Sequence, residues 1–461
     1  MKESTAGNIE KLGEEKIPIL LFKFCLPVVV ALLVNALYNL VDRIFIGNSV
    51  GPLGIAGITI VYPIMLVMGA CATLVGTGGA SLISIKLGEK KADVAERVLG
   101  NSIVLLVTLA IMVTISGLFF INPILRSFGA SSEVLPYAKD YMGIILFGTI
   151  FQVFGLGMSY FIRADGSPQK AMATMLIGAI MNIILTPIFI FGFKMGMKGA
   201  ALATITSQAV SVTWVMYYFL SGNSFLKIHI QNLKLLSSIV KSILAIGAAS
   251  CLMQITLSLS NMIMNKSLVH YGGDIAVSVM GAIFSIIFLI VLPVLGISQG
   301  IQPIIGFNYG AKKFDRVKEA LKSGVFAATV IATLGFVITR VFPEELMSLF
   351  NSQNKEFITM GSYAMGISMI LVPIIGLQII VSGYFQAIGK PKQAMFLTLS
   401  RQVIFIPALL VLPHYFQLVG IFVSIPLSDF LAFVITAIWL LAELKNLNKK
   451  QAILQTQSQT L

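Results

Sequence analysis

The segment Leu26–Gly47 reads LPVVVALLVNALYNLVDRIFIG, and it decides the fold because it is apolar enough to cross a bilayer yet carries a line of polar groups. Four polar residues fall at i, i+3, i+4 and i+7 and so share one helical face: Asn35, Tyr38, Asn39 and Asp42. An ionised carboxylate in contact with lipid costs on the order of 2.5–3.5 kcal/mol or more. This face is therefore expected to point into protein or into a wet cavity.

A second interpretation of Asp42 places it at the outer end of the helix together with Arg43. The roughly 19 residues that follow Lys23, at a rise of ~1.5 Å each, already cover most of a ~30 Å hydrocarbon core. The pattern alone therefore leaves two roles open for Asp42, an ion-coupling carboxylate or a marker of the helix end.

The composition excludes a soluble protein. Hydrophobic residues make up 57% and charged residues 11% of 461, against about 25% charged in ordinary soluble domains. The three cysteines lie within apolar stretches without metal-ligand spacing, which favours a packing role. The first sixteen residues mix Lys and Glu and lack a small-residue cleavage site, so the first helix is expected to remain in the mature protein.

Apolar runs long enough to span a membrane predict an all-α polytopic membrane protein with twelve helices. They cover roughly residues 18–46, 53–86, 96–120, 136–163, 170–192, 197–220, 236–264, 275–307, 319–342, 358–387, 393–412 and 416–442.

The distribution of basic residues predicts the orientation of these helices. With the amino terminus inside, 23 Lys and Arg fall in cytoplasmic segments and 8 outside, which favours two cytoplasmic termini. The net charge of +13 is thus a topology signal that suits an anionic inner leaflet, and it does not indicate nucleic-acid binding.

A fixed offset relates the two halves of the chain. Five residues recur 222 positions later, namely Gly78, Gly88, Lys90, Lys91 and Asp93 as Gly300, Gly310, Lys312, Lys313 and Asp315. Six helices per unit is an even number, so both units enter the membrane in the same direction, as in transporters built from parallel repeats. The predicted organisation is a cytoplasmic terminal segment at 1–17, an N-lobe at 18–220, a cytoplasmic linker at 221–235, a C-lobe at 236–442 and a cytoplasmic tail at 443–461. For the polar stretch Ser221–Lys241 between the lobes we favour a plain linker over a regulatory helix.

Several motifs in both halves resemble those of the multidrug and toxic compound extrusion (MATE) family, in detail its MepA-like bacterial branch. They are NLVDRIFIG, GTGGASLISIKLGEKKAD, RADGSPQKAM, NIILTPIFIFGF and QAIGKPKQAM. The resemblance implies a V-shaped pair of six-helix bundles in a bacterial inner membrane that exports organic cations in exchange for H+ or Na+. The family commonly has Asp before Pro187, where this chain has Thr186 while retaining Asn182. One branch of the family has acidic residues on the seventh and tenth helices. This chain has Gln254, Asn261 and Gln378 there instead, so the resemblance does not support a sodium site at that place.

Enzymatic chemistry is not indicated, because the three histidines lie far apart and no nucleophile, metal-ligand or phosphate-loop pattern occurs. Proton-coupled transport instead needs a group that can gain and lose a proton. Burial favours the neutral form of a carboxyl group and a cationic drug favours the ionised form, so proton and drug would compete for Asp42. We expect four neutral groups around it: Tyr38, Asn39, Asn182 and Thr186.

Substrate contacts are expected from Asn35, Met65, Met68, Gln254, Asn261 and Gln378, since thioethers and amides suit a site that accepts many shapes. Arg401 and Asp429 lie at similar depths on successive helices and are expected to pair, either as a structural salt bridge or as part of the mechanism.

The sequence thus predicts a monomeric secondary transporter that exports amphipathic organic cations in exchange for protons. The expected partners are these small molecules and the lipid bilayer, with no cofactor beyond the H+ gradient. A flippase for lipid-linked precursors and Na+-coupled antiport are the alternatives. A flippase for anionic head groups should line its cavity with several basic residues, and here only Arg401 and Arg163 qualify.

Overall fold

The computed structural model describes residues 10–222 and 224–459, except for the side chains of residues 39, 40, 43, 52, 274, 454 and 457–459. Long helices dominate the described chain. In chain order they are α1 (Ile17–Val50), α2 (Pro52–Gly88), α3 (Ala92–Phe119), α4 (Leu135–Ala164), α5 (Pro168–Pro187), α6 (Gly196–Leu220), α7 (Ser237–Gly273), α8 (Ile275–Gly310), α9 (Phe314–Val341), α10 (Lys355–Ser368 and Val372–Ala387), α11 (391–416) and α12 (418–459).

In the described part of the chain, nine helices are long and apolar enough to cross a membrane, or ten when the two segments of α10, bent by 51°, count as one span. One of these nine, Pro391–Ile453, is interrupted at Gln417 and comprises both α11 and α12. The 25-residue helix α6 is of spanning length although it is not among the nine. The predicted twelve-helix organisation follows from these segments.

The internal repeat is visible in the backbone itself. Four pairs of residues with positive φ recur at offsets of 222 or 223, each at a break between helices: Gly51 and Gly273 (84° and 64°), Lys90 and Lys312 (60° and 59°), Gly166 and Gly389 (80° and 70°), and Lys194 and Gln417 (54° and 50°). Positive φ is costly for residues other than glycine, so its recurrence at Lys90 and Lys312 reflects a common architecture. The two predicted six-helix lobes are therefore repeats of one fold.

Large apolar side chains are exposed on the outside of the bundle, among them Phe119 (80%), Phe22 (68%) and Phe147 (66%). Exposed aromatic side chains in this number would form apolar patches on a soluble protein. They are in their preferred solvent when the bundle lies in lipid.

The two lobes meet where glycines allow backbone contact. A Cβ atom on Gly88 of α2 would lie 2.0 Å from the carbonyl oxygen of Phe307 on α8, and one on Gly310 would lie 2.1 Å from that of Ile85. These two contacts are related by the 222-residue offset. Only glycine fits at such a distance, so this seam, on the side of the bundle that holds both described chain ends, depends on these residues.

The segment that precedes each lobe is bound to the other lobe by side-chain hydrogen bonds. Asn308 Nδ2 donates to the carbonyl oxygen of Leu12 at 2.8 Å, and Arg316 Nη2 donates to that of Glu15 at 2.6 Å. The linker is bound in the same way, because Asn101 Nδ2 donates to the carbonyl oxygen of Lys234 at 3.1 Å. Side-chain contacts thus hold the segment at 221–235 on the N-lobe, and its interpretation as a plain linker stays a prediction.

The C-terminal helix is longer than the sequence predicted. Instead of a tail from residue 443, α12 continues through the described chain to Gln459. Its last turns pack on α9, where Lys318 Nζ donates to Asn448 Oδ1 at 3.0 Å and to Gln451 Oε1 at 2.7 Å. Leu447 is fully buried, which explains why the helix stays folded beyond the apolar span.

Candidate functional site

Asp42 lies inside the N-lobe, where α1 packs against α5. It is 8% exposed, and Thr186 Oγ1 donates to Asp42 Oδ1 at 3.2 Å. Helix α1 continues to Val50, two turns beyond this carboxylate. The helix therefore does not end at Asp42, while the choice between an ion-coupling carboxylate and a marker of the outer end of the membrane span stays a prediction.

The hydrogen bonds continue from Thr186 into α6. Thr186 Oγ1 lies 3.4 Å from Asn182 Oδ1, and Asn182 Nδ2 donates to Thr204 Oγ1 at 3.3 Å. All three side chains are buried, Thr186 completely. We call Asp42, Thr186, Asn182 and Thr204 the Asp42 cluster. It joins three helices through one carboxylate and three neutral groups.

The end of α5 sets the position of Thr186. Pro187 follows directly, and the chain then forms a single wide π-turn over Ile188–Gly192. Such turns arise where the regular hydrogen-bond ladder is interrupted, as it is by proline, and they are frequent at functional sites. The sequence Thr-Pro therefore ends the regular helix just after the hydroxyl that meets Asp42.

Thr204 is the member of the Asp42 cluster that the sequence interpretation missed. A signal was present, because Thr204, Ser207 and Ser211 occur at i, i+3 and i+7 and are all buried on one face of α6. The hydroxyl of Thr204 also donates to the carbonyl oxygen of Ala200 at 3.1 Å, as hydroxyls within apolar helices commonly do.

The remaining predicted residues of α1 lie on the turns before Asp42. Asn35 and Tyr38 are half-buried, and both take part in side-chain interactions. The side chain of Asn39 is outside the described part of the structure, so its expected contact with Asp42 stays a prediction.

The predicted substrate residues are dispersed. Gln254 of α7 donates through Nε2 to Thr73 Oγ1 of α2 at 2.8 Å, a contact between the lobes. Asn261 is exposed further along α7, and Met65 is half-buried on α2. Met68 is fully buried and accepts a contact from Thr149 Oγ1 at 3.6 Å, so it packs inside the N-lobe. In this conformation Met68 is a buried core residue, and its contact with a substrate stays a prediction.

The C-lobe contains a charged pair between α11 and α12. Arg401 Nε donates to Asp429 Oδ1, and the Asp429 side chain is only 2% exposed while that of Arg401 is 29% exposed. Gln378 Nε2 donates to the backbone carbonyl of Asp429 at 2.6 Å, which connects α10 to the pair. The two charges thus neutralise one another within the C-lobe.

Asp165 is a further buried carboxylate, in the loop between α4 and α5. It accepts hydrogen bonds from Tyr218 Oη at 2.6 Å, from Ser224 Oγ at 2.8 Å and from the backbone N–H groups of Phe225 and Leu226 at 3.1 Å. Burial raises the pKa of Asp165 to about 6, against the opposing effect of these donors. The residue fixes the start of the linker on the N-lobe, a role the sequence interpretation did not assign.

Metal coordination is not indicated for the described part of the chain, where no three His, Cys, Asp or Glu side chains come together. The Asp42 cluster can instead accommodate a gain or loss of a proton. Its single carboxylate faces hydroxyl and amide groups that both donate and accept hydrogen bonds.

Known proteins share this architecture. The MatE family profile matches residues 27–188 and 249–411, one stretch in each lobe. The multidrug export protein MepA of Staphylococcus haemolyticus (strain JCSC1435) is 28% identical over 406 residues, which cover 88% of this chain and 89% of MepA. The MATE multidrug transporter DinF-BH, solved as a complex, is 40% identical with a TM-score of 0.88, covering 93% of this chain and 96% of DinF-BH. A crystal structure of MATE in the bent conformation gives a TM-score of 0.91 at 25% identity, covering 96% and 99%.

These comparisons confirm the resemblance read from the loop motifs. The two matched stretches of the family profile together exceed half of the chain, and the similarity to solved MATE structures extends over both lobes. This chain therefore belongs to the MatE family of multidrug efflux transporters, which are membrane transporters and not enzymes.

Proposed function

We propose that this protein exports amphipathic organic cations from a bacterial cell in exchange for protons, and that Asp42 carries the exchanged proton. The observation that supports this most directly is the environment of Asp42, which is 8% exposed and accepts its 3.2 Å hydrogen bond from a neutral hydroxyl. A carboxylate in such a place gains stability either from a proton or from an organic cation. The two ligands therefore compete for one group.

The hydroxyl of Thr186 can serve both forms of Asp42. It has one hydrogen, which points to Asp42 Oδ1 when the carboxylate is ionised. When Asp42 is protonated, the acid donates to Thr186 Oγ1, and the hydroxyl hydrogen turns to Asn182 Oδ1 at 3.4 Å. Neither state leaves the Thr186 hydroxyl hydrogen or the acid proton without an acceptor, so Asp42 can bind and release a proton without creating an unpaired buried donor.

The orientation proposed for export places both chain ends in the cytoplasm, as the 23 to 8 distribution of basic residues favours. The glycine contacts at Gly88 and Gly310 then close the cytoplasmic side of the seam. Transport requires this seam to open in another state, so that the substrate site faces one side at a time.

Coupling to Na+ is the alternative, because Na+ binds oxygen ligands and the Asp42 cluster offers carboxylate, hydroxyl and amide oxygens. The two gradients in the test below distinguish it from proton coupling. A flippase for anionic head groups would need free cationic groups, whereas Arg401 is paired with Asp429 and Arg163 stacks over the Tyr160 ring at 4.3 Å. These contacts of Arg401 and Arg163 favour export of cations over transport of anionic head groups.

The test uses purified protein in lipid vesicles and ethidium, a fluorescent organic cation of the proposed substrate class. Uptake is measured with a pH gradient alone and with a Na+ gradient alone, for the native chain and for Asp42→Asn. We expect uptake with the pH gradient only, and its loss in the variant. Uptake driven by Na+ alone, or unchanged uptake by Asp42→Asn, would contradict the proposal.

A further inference from the structure

Two cysteines lie on opposite sides of the seam between the lobes, Cys71 on α2 and Cys251 on α7. Both are half-buried and neither forms a disulfide. The sequence interpretation treated them as packing residues, because nothing in their spacing relates one to the other. The structure relates them through the packing of α2 on α7.

Contacts between α2 and α7 occur on both sides of the two thiols along the helix axes. On one side, a Cβ atom on Gly247 would lie 1.7 Å from the carbonyl oxygen of Leu74, so the two backbones touch. On the other side, Gln254 Nε2 donates to Thr73 Oγ1 at 2.8 Å, and a Cβ on Gly69 would lie 3.5 Å from Gln254 Oε1. Cys71 lies between Gly69 and Leu74, and Cys251 lies between Gly247 and Gln254.

The direction of the helices brings the two thiols together. The pairs Gly78 with Ile243 and Leu74 with Gly247 show that α2 and α7 run antiparallel, since one number falls as the other rises. One further turn along this direction leads to Cys71 on α2 and Cys251 on α7.

We propose that Cys71 and Cys251 are an oxidisable pair, and that their disulfide ties the N-lobe to the C-lobe. A disulfide requires Cα atoms about 4.4–6.8 Å apart. The backbone contact between Gly247 and Leu74 brings the two helices together one turn away from the thiols. The step removes one proton and one electron from each thiol, forms the S–S bond, and passes two electrons and two protons to an azodicarboxamide oxidant, which becomes the hydrazine.

The consequence for transport rests on the proposed function. If the lobes separate along this seam during each cycle, a covalent link between α2 and α7 holds the protein in the state described here. Oxidation would then stop export and reduction would restore it. The pair is thus a redox-sensitive lock on the movement of the lobes.

The experiment treats the full chain in vesicles with diamide, an azodicarboxamide, and quantifies the disulfide by mass spectrometry of peptides under non-reducing conditions. Ethidium transport is measured before oxidation, after oxidation and after dithiothreitol. Cys25→Ser serves as the matched control, because Cys25 is buried against Ile297 of α8, with Sγ 3.6 Å from the carbonyl oxygen. Cys71→Ser and Cys251→Ser each remove one partner.

We expect a Cys71–Cys251 peptide in the native chain and in Cys25→Ser, and a loss of transport equal to the cross-linked fraction and reversed by dithiothreitol. Transport by Cys71→Ser and by Cys251→Ser should resist diamide. The proposal is overturned if both thiols remain open to alkylation after diamide, or if cross-linked protein transports normally. Absence of transport before oxidation would contradict the proposed function instead, while the yield of disulfide would still decide the pairing.

Discussion

Thr186 Oγ1 lies 3.2 Å from Asp42 Oδ1, across the contact between α5 and α1. The family resemblance implies a second carboxylate at the position of Thr186. Here a hydroxyl takes that place and donates to the one carboxylate that remains. The relationship makes Thr186 a positioning residue for Asp42.

Removal of this hydroxyl should impair transport. In Thr186→Val the shape is retained but the donor is lost, and a hydrogen bond to a charged group contributes about 1.5–3 kcal/mol. Since ~1.4 kcal/mol corresponds to a factor of ten, we expect ethidium uptake driven by a pH gradient to fall about tenfold or more. Thr186→Ser keeps the donor and should retain most of the uptake. Equal uptake by both variants would show that the hydroxyl has no such role.

The pair of Arg401 and Asp429 should matter more for stability than for proton coupling. Arg401→Met leaves a buried carboxylate without its cation, which typically costs about 3–5 kcal/mol. We expect a lower unfolding temperature in detergent for this variant, and recovery in the double variant Arg401→Met/Asp429→Leu. A double variant that unfolds normally yet fails to transport would instead assign the pair to the mechanism.

Asp165 should give the stability of the N-lobe a dependence on pH. In the folded protein the pKa of Asp165 is about 6, whereas the ordinary carboxyl pKa is 3.8. Between these values the folded state binds more protons than the unfolded state, so stability falls as the pH rises, by at most about 1.4 kcal/mol per pH unit. The unfolding free energy of the native chain relative to Asp165→Asn should therefore decrease from pH 4 to pH 7. A constant difference would contradict the raised pKa.

The glycines of the seam should control its closure. Gly88→Ala places a methyl group 2.0 Å from the Phe307 carbonyl oxygen, so the lobes must move apart. Gly143→Ala is a matched control, because no atom lies within 4 Å of the added Cβ. With Cys25→Ser as background, we expect faster alkylation of Cys71 and Cys251 in the Gly88 variant only. Equal rates in the two variants would show that this contact does not hold the seam.

Much of the fold could be predicted from the sequence, because apolar spans and the 222-residue repeat are local or periodic signals. The polar face of α1 likewise predicted that Asp42 points into protein. Residues whose roles depend on distant partners were not accessible in this way. Asp165 binds backbone groups some 60 residues away, and Leu447 is fully buried although it lies beyond the apolar span. The abundance of methionine likewise did not reveal that Met68 is fully buried, because it does not show which face of a helix packs against its neighbours.

The central claim is that proton and cation compete for Asp42, and proton release on substrate binding tests it most directly. Ethidium is added to purified protein in weakly buffered detergent solution, while a pH indicator records released protons and fluorescence records binding. The account predicts that binding releases protons from the native chain and that Asp42→Asn releases none. Binding of ethidium to the native chain without proton release, or equal release from Asp42→Asn, would contradict it.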